Sequence, residues 1–89
     1  MNLTIYKYPI PKASGKFAID LPEEARPLHV DVQEGLPWIW IEVDLDEPKK
    51  RTQFCVVYTS GTVPEDFVYV GTVLAHGGHL VLHIYRGAQ

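Results

Sequence analysis

Apolar and polar positions alternate with a period of two along most of the chain, the repeat of a strand with one face turned inward. No window sustains the three-and-four spacing of a helical stripe. Leu3 to Tyr8 sets Leu3 and Ile5 against Thr4, Tyr6 and Tyr8. Pro9 and Pro11 end that run, because proline cannot donate to a ladder. Lys16 to Leu21 repeats the pattern with Phe17, Ile19 and Leu21 on one side. Pro22-Glu23-Glu24-Ala25 is the one place suited to a helical turn, since proline fits a first helical position and acids fit the first turn.

Residues 28 to 43 predict a β-hairpin. With Glu34-Gly35 as a two-residue turn, Gln33 faces Leu36, Asp31 faces Trp38, Val30 faces Ile39, His29 faces Trp40 and Leu28 faces Ile41. A three-residue loop with a bulge is the alternative and would slip this register. One face is then Leu28, Val30, Val32, Ile39, Ile41 and Val43, a core face. The other carries His29, Asp31, Trp38, Trp40 and Glu42. A solvated face has no need of two indoles, so something is expected to cover them.

A charged loop from Asp44 to Thr52 separates this hairpin from an apolar strand, Gln53 to Thr59. Ser60 to Asp66 is rich in turn formers. Phe67 to Tyr85 predicts a second hairpin about Gly77-Gly78, a pair suited to the positive φ angles of a type I′ turn. Its register sets His76 opposite His79, Leu74 opposite Val81, Thr72 opposite His83 and Val70 opposite Tyr85, with Val73, Ala75, Leu80, Leu82 and Ile84 on the core face. The pattern as a whole is all-β: a small single-domain antiparallel β-sandwich or partly open barrel of about seven short strands, spanning residues 1–89. Several strands are apolar on both faces, among them Trp38-Ile39-Trp40-Ile41, Cys55-Val56-Val57-Tyr58 and Leu80-Val81-Leu82. So short a chain has few elements to cover two sheets twice, and a homo-oligomer is the expected cover.

Bulk properties narrow the function. At 89 residues the chain is one domain near the lower end of what folds unaided. Eight basic against eleven acidic residues give a net charge of −3, which excludes the basic excess of a general nucleic-acid binder. The Lys49-Lys50-Arg51 run follows Asp44, Asp46 and Glu47 and reads as a solvated, balanced loop. The single cysteine, Cys55, has no partner for an internal disulfide and sits among apolar residues as a small hydrophobe. No apolar run approaches the ~20 residues of a membrane helix, and the N-terminus alternates like a strand where a signal peptide would not.

Catalytic and metal chemistry find little to stand on. His76, His79 and His83 cluster in sequence, yet His79 and His83 lie roughly 13 Å apart along a strand at ~3.3 Å per residue. Two ligands do not make a zinc site. Ser60-Gly61 lacks the context of a hydrolase elbow, Asp44-Leu45-Asp46-Glu47 lacks the spacing of a calcium loop, and no glycine loop cradles phosphate. The chain is therefore read as a non-enzyme with no metal and no cofactor. The candidate ligand or partner surface is Trp38 and Trp40 with His29, Asp31 and Glu42, joined by Arg51 and Arg86 as cations for an anionic ligand.

Several segments carry a resemblance. Ile5-Tyr6-Lys7-Tyr8-Pro9, Leu28-His29-Val30 with Gln33 and Gly35, Trp40 with Val43-Asp44, Val70-Gly71-Thr72 and Leu82-His83-Ile84-Tyr85 together resemble an uncharacterised family of small proteins from tailed bacteriophages and prophages. The family often turns acidic after its last aromatic, where this chain has Arg86. The resemblance implies a phage accessory protein in the cytoplasm of an infected bacterium and transfers no catalytic residue. The expectation is action by binding: antagonism of host defence, by sequestering a nucleotide signal or masking a host defence protein. A structural or morphogenesis role in the phage particle is the alternative.

Overall fold

Strands begin and end where the sequence supplies turn chemistry. The computed structural model describes residues 1–88, with β1 (Leu3–Pro9), β2 (Gly15–Pro22), β3 (Arg26–Gln33), β4 (Leu36–Asp44), β5 (Lys49–Tyr58), β6 (Phe67–Ala75) and β7 (Leu80–Gly87). They form two antiparallel sheets, ordered β1-β4-β3 and β2-β5-β7-β6. No ladder joins one sheet to the other, so the fold is a sandwich and not a closed barrel.

The inner faces follow the alternation. Val30, Ile39, Ile41 and Val43 from the first sheet meet Leu21, Phe54, Val56, Val73, Leu82 and Ile84 from the second, all buried. Phe17 stacks on its cross-strand neighbour Phe54 at 5.5 Å between centroids. Each such buried side chain contributes about 1.5–3 kcal/mol. The sheets approach most closely where β3 runs beside β6. There Gly71 leaves room for Val30: a Cβ on Gly71 would lie 2.6 Å from Val30 Cγ2.

The predicted register holds through the first turn. Gln33 pairs with Leu36, Asp31 with Trp38, Val30 with Ile39 and His29 with Trp40. Glu34 and Gly35 take φ of 53° and 79°, as a type I′ turn requires. Beyond His29 the expectation fails. Pro27 has no N–H to give the ladder, the pairing shifts, and Pro27 instead of Leu28 faces Ile41. Leu28 is left as the extra residue of a bulge and is exposed, not core.

The second hairpin shows the same kind of departure. Leu74 faces Val81 and Thr72 faces His83 as expected, but a shift at Val70 puts Tyr69 opposite Tyr85 and turns Gly71 inward opposite Ile84. The connection is a short 3-10 turn, His76–Gly78, with Gly77 and Gly78 at φ 64° and 90°. Two further expectations are corrected. Pro22–Ala25 makes no helical turn: Pro22 ends β2, and Glu24 turns the chain at φ 63°. Lys49 to Thr52 is not loop but the first part of β5, because β2 is long enough to pair with it from Pro22–Lys49 onward.

Candidate functional site

β4 is the middle strand of its sheet, so its outward residues are flanked on both sides. Trp38 lies between Pro9 and Asp31, Trp40 between Lys7 and His29, and Glu42 between Ile5 and Arg26. The structure thus gathers Trp38, Trp40, His29, Asp31 and Glu42 on one outer face, and adds Leu3, Ile5 and Lys7 from β1. The alternation on β1 did not say which set would point outward. Leu3 and Ile5 do, and both are more than half exposed, while the two indoles are half-buried.

Neighbours hold each indole in place. Lys7 Nζ sits 4.3 Å from the centroid of Trp38, a cation over a π face, and also donates to Gln33 Oε1. Trp38 Nε1 donates to the Gln33 carbonyl at 3.3 Å. The His29 ring lies 5.9 Å from that of Trp40, tilted, and its Nε2 is 3.3 Å from Asp31 Oδ2. The Val32 N–H donates to Asp31 Oδ1 at 2.7 Å. That amide, and then His29, hold the Asp31 carboxyl below the usual carboxylate range. Arg26 Nη2 pairs with Glu42 Oε1 at 3.1 Å. The result is a mixed surface in which Leu3, Ile5, Trp38 and Trp40 alternate with Lys7, His29, Asp31 and Glu42.

The two arginines expected to join this surface do not. Arg51 lies on the outer face of the other sheet, opposite Asp20, and lines a concavity of about 310 Å³ with Gln53 and Phe67. Arg86 reaches the end of the sandwich, where its Nη1 donates to the Ala25 carbonyl, and burial lowers its pKa. Neither can supply charge to a ligand stacked on Trp38 or Trp40. Neither indole lines that concavity or three others on the surface, one between Ser14 and Thr62, one between Val57 and Tyr85 and one between Pro27 and Arg86.

A polar cluster on the outer face of the β2-β5-β7-β6 sheet escaped the sequence reading. Tyr69 Oη bonds Thr72 Oγ1 at 2.6 Å, Thr72 Oγ1 bonds His83 Nδ1 at 3.0 Å, and His83 Nε2 bonds Thr59 Oγ1 at 2.9 Å. Alternation already placed Thr72 beside His83. Tyr69 arrives through the bulge and Thr59 through the fold-back of the Tyr58–Gly61 turn, neither of which leaves a periodic signal. This turn also covers Val57: a Cβ on Gly61 would lie 3.2 Å from Val57 Cγ1. Cys55 and Val57 face outward yet are buried within the chain itself, so these apolar positions do not require a second subunit. Burial also raises the Cys55 thiol pKa. Among the described residues no group of three or more histidine, cysteine or acidic side chains is placed to hold a metal ion.

Fold and surface together define a small two-sheet β-sandwich with an aromatic, mixed outer face and, among the described residues, no helix long and apolar enough to cross a membrane. The chain belongs to the family described as Domain of unknown function (DUF7352), whose model matches residues 1–89. No curated protein and no solved structure matches it.

Proposed function

We propose that this is a non-enzymatic accessory protein of a tailed bacteriophage or prophage, and that it acts by binding another protein through the outer face of β1-β4-β3. One observation carries the reading: the outer face of β1-β4-β3 bears Leu3 and Ile5, each more than half exposed, together with the half-buried Trp40 and Trp38, with Lys7, His29 and Glu42 among them. Its chemistry favours a protein over a nucleotide. Lys7 and His29 already occupy ring surface that a base would need, Arg26 on the same face is paired with Glu42, and small ligands favour concave sites. Aromatic and aliphatic side chains interleaved with charged ones suit a protein interface. The bacteriophage setting comes from the resemblance of the sequence motifs, and in that setting masking of a host defence protein is the role this face suits.

The same face supports self-association. Two copies packed face to face about a two-fold axis along β4 set β1 of each over β3 of the other, with Lys7 level with His29 and Pro9 level with Asp31. Three strands ~4.8 Å apart and nine residues of ~3.3 Å cover only about 400 Å² in projection. A standard interface buries about 800 Å² per partner, so this dimer is weak and yields to a larger partner.

Sedimentation at rising concentration tests the reading, with acrylamide quenching of the indoles as the second readout. Wild-type protein should associate and shield its tryptophans, while Ile5→Arg should remain monomeric with an unchanged melting temperature. A strict monomer at high concentration, with indoles quenched as freely as in a peptide, would count against this face as an interface. Stoichiometric recovery of the chain from purified phage particles would instead favour a structural role.

A further inference from the structure

We propose that the outer face of the β2-β5-β7-β6 sheet carries a second site, for a neutral saccharide unit, in the concavity between His83, Tyr85 and the Tyr58–Gly61 turn. The concavity has a volume of about 210 Å³ and adjoins another of about 460 Å³ on the far side of the same turn, with Val57 through Gly61 common to both. The site is independent of the β1-β4-β3 face and lies on the opposite sheet.

Three features select the ligand chemistry. First, the polar end of the concavity is Thr59 and His83, the terminal members of the chain Tyr69–Thr72–His83–Thr59. A neutral imidazole has one N–H and one lone pair, and each hydroxyl can donate or accept. The chain can therefore be ordered in either direction. Switching the His83 tautomer changes whether the Thr59 hydroxyl offers a proton or a lone pair to whatever lies beside it. The natural complement is a group with the same ambivalence, another hydroxyl.

Second, the lining is uncharged. Val57, Tyr58, Thr59, Ser60, Gly61, Val63, His83 and Tyr85 supply no Lys, Arg, Asp or Glu. A carboxylate or phosphate would find no lysine or arginine there, and a wholly apolar ligand would cover Thr59 and His83 without replacing their water.

Third, the walls are Val57, Val63 and the Tyr85 ring, and Tyr69 packs edge-on against Tyr85 at 5.6 Å to fix that ring. The C–H face of a sugar ring rests on an aromatic plane while its hydroxyls turn to the polar end. The turn that completes the site is formed at a conformational cost. Ser60 holds φ 73°, and Gly61 has no Cβ to strike the Tyr58 carbonyl at 2.9 Å.

The test uses the full chain and a fixed set of probes: glucose, galactose, mannose, maltose, lactose and cellobiose, with glucuronate as the charged control. Saturation-transfer NMR reads the sugar, and amide and imidazole nitrogen shifts read the protein. At least one neutral sugar should receive saturation and move the His83 ring nitrogens and the Gly61 amide, while the Trp38 and Trp40 indoles stay still. Thr59→Val keeps the side-chain shape, and it should weaken that binding about tenfold, the loss of one hydrogen bond. Tyr85→Leu should weaken it further, and Trp40→Ala on the other sheet should leave it unchanged. Absence of saturation from all six sugars at tens of millimolar overturns the proposal. So does binding that survives Thr59→Val undiminished, or glucuronate bound more tightly than glucose.

Discussion

Gly71→Ala is the sharpest probe of how the two sheets meet. Gly71 does not adopt a positive φ, so alanine carries no backbone penalty there, and by removing unfolded-state freedom it should stabilise by about 0.4–1 kcal/mol. Against that stands the contact: the new Cβ would lie 2.6 Å from Val30 Cγ2, a stiff branched side chain that is itself buried between β3 and β6. Overpacking of this kind costs about 1–3 kcal/mol, so the net effect runs from no change to a loss of about 2.6 kcal/mol. For a domain of this size each kcal/mol lowers Tm by roughly 4–8 °C, so the largest loss lowers it by about 20 °C. The same geometry predicts rescue. Val30→Ala alone opens a cavity and costs about 1.5–3 kcal/mol. It also removes Cγ2, and Val30 Cβ is 3.8 Å from the position of the added Cβ, an ordinary contact. In that background Gly71→Ala fills the hole, so the double variant should be no less stable than Val30→Ala. Urea denaturation of the four proteins gives the coupling energy, expected at about 1–2 kcal/mol in favour of the pair. Strict additivity, or a Gly71→Ala protein more stable than wild type, would refute the close approach of β3 and β6.

Other outcomes follow from single contacts. Glu34→Asn relieves a non-glycine residue at φ 53° in the first hairpin turn and should raise stability by about 0.5–1 kcal/mol, read as a higher Tm by circular dichroism. Arg86→Met keeps the aliphatic stem but removes the donor to the Ala25 carbonyl, and should cost about 1–3 kcal/mol; an unchanged Tm would mean that water replaces the guanidinium. The carboxyls of Asp31 and Asp44 are held below their ordinary range, Asp31 by the Val32 amide and then His29, Asp44 by the amides of Asn2 and then Asp46. A depressed folded-state pKa gives stability that is complete above the unfolded value of about 3.9 and is lost as pH falls through the folded value. Tm should therefore hold near neutrality and decline below about pH 4, and Asp31→Asn with Asp44→Asn should flatten that decline. An identical acid slope in the double variant would show that the hydrogen bonds do not persist in solution.

Local chemistry made most of the fold legible. Glu34-Gly35 and Gly77-Gly78 fixed two hairpin registers, and the alternation assigned Ile39, Ile41, Val43, Leu82 and Ile84 correctly to the core. Register was lost beyond residues where a ladder has to skip: Pro27, which cannot donate, displaced Leu28, and the bulge at Val70 brought Tyr69 beside Tyr85. The indole face was legible for the same reason as the hairpin, since Trp38 and Trp40 belong to one strand and one parity. Arg51 and Arg86 were misplaced because alternation says nothing about which strands become neighbours. β4 pairs with β1 and β3, and neither arginine lies on those strands. The Thr59–His83 contact was illegible because it joins a loop to a strand across 24 residues.

The strand order has a consequence for how the molecule is made. Only β3–β4 and β6–β7 are hairpins between consecutive strands; β1 must wait for β4, β2 for β5, and β5 for the last strand, β7. The two hairpins can form as soon as they leave the ribosome. β1, by contrast, stays unpaired until the chain has been synthesised past Asp44, and the four-stranded sheet closes only once β7 has been made. Such late, long-range pairing places folding in the millisecond-to-second range usual for β-sandwiches, slow beside a helical bundle of the same length. During that interval Leu3, Ile5 and Tyr6 lie along an open strand edge. Lys7, Pro9 and Pro11 are the residues that keep it from pairing with another nascent chain.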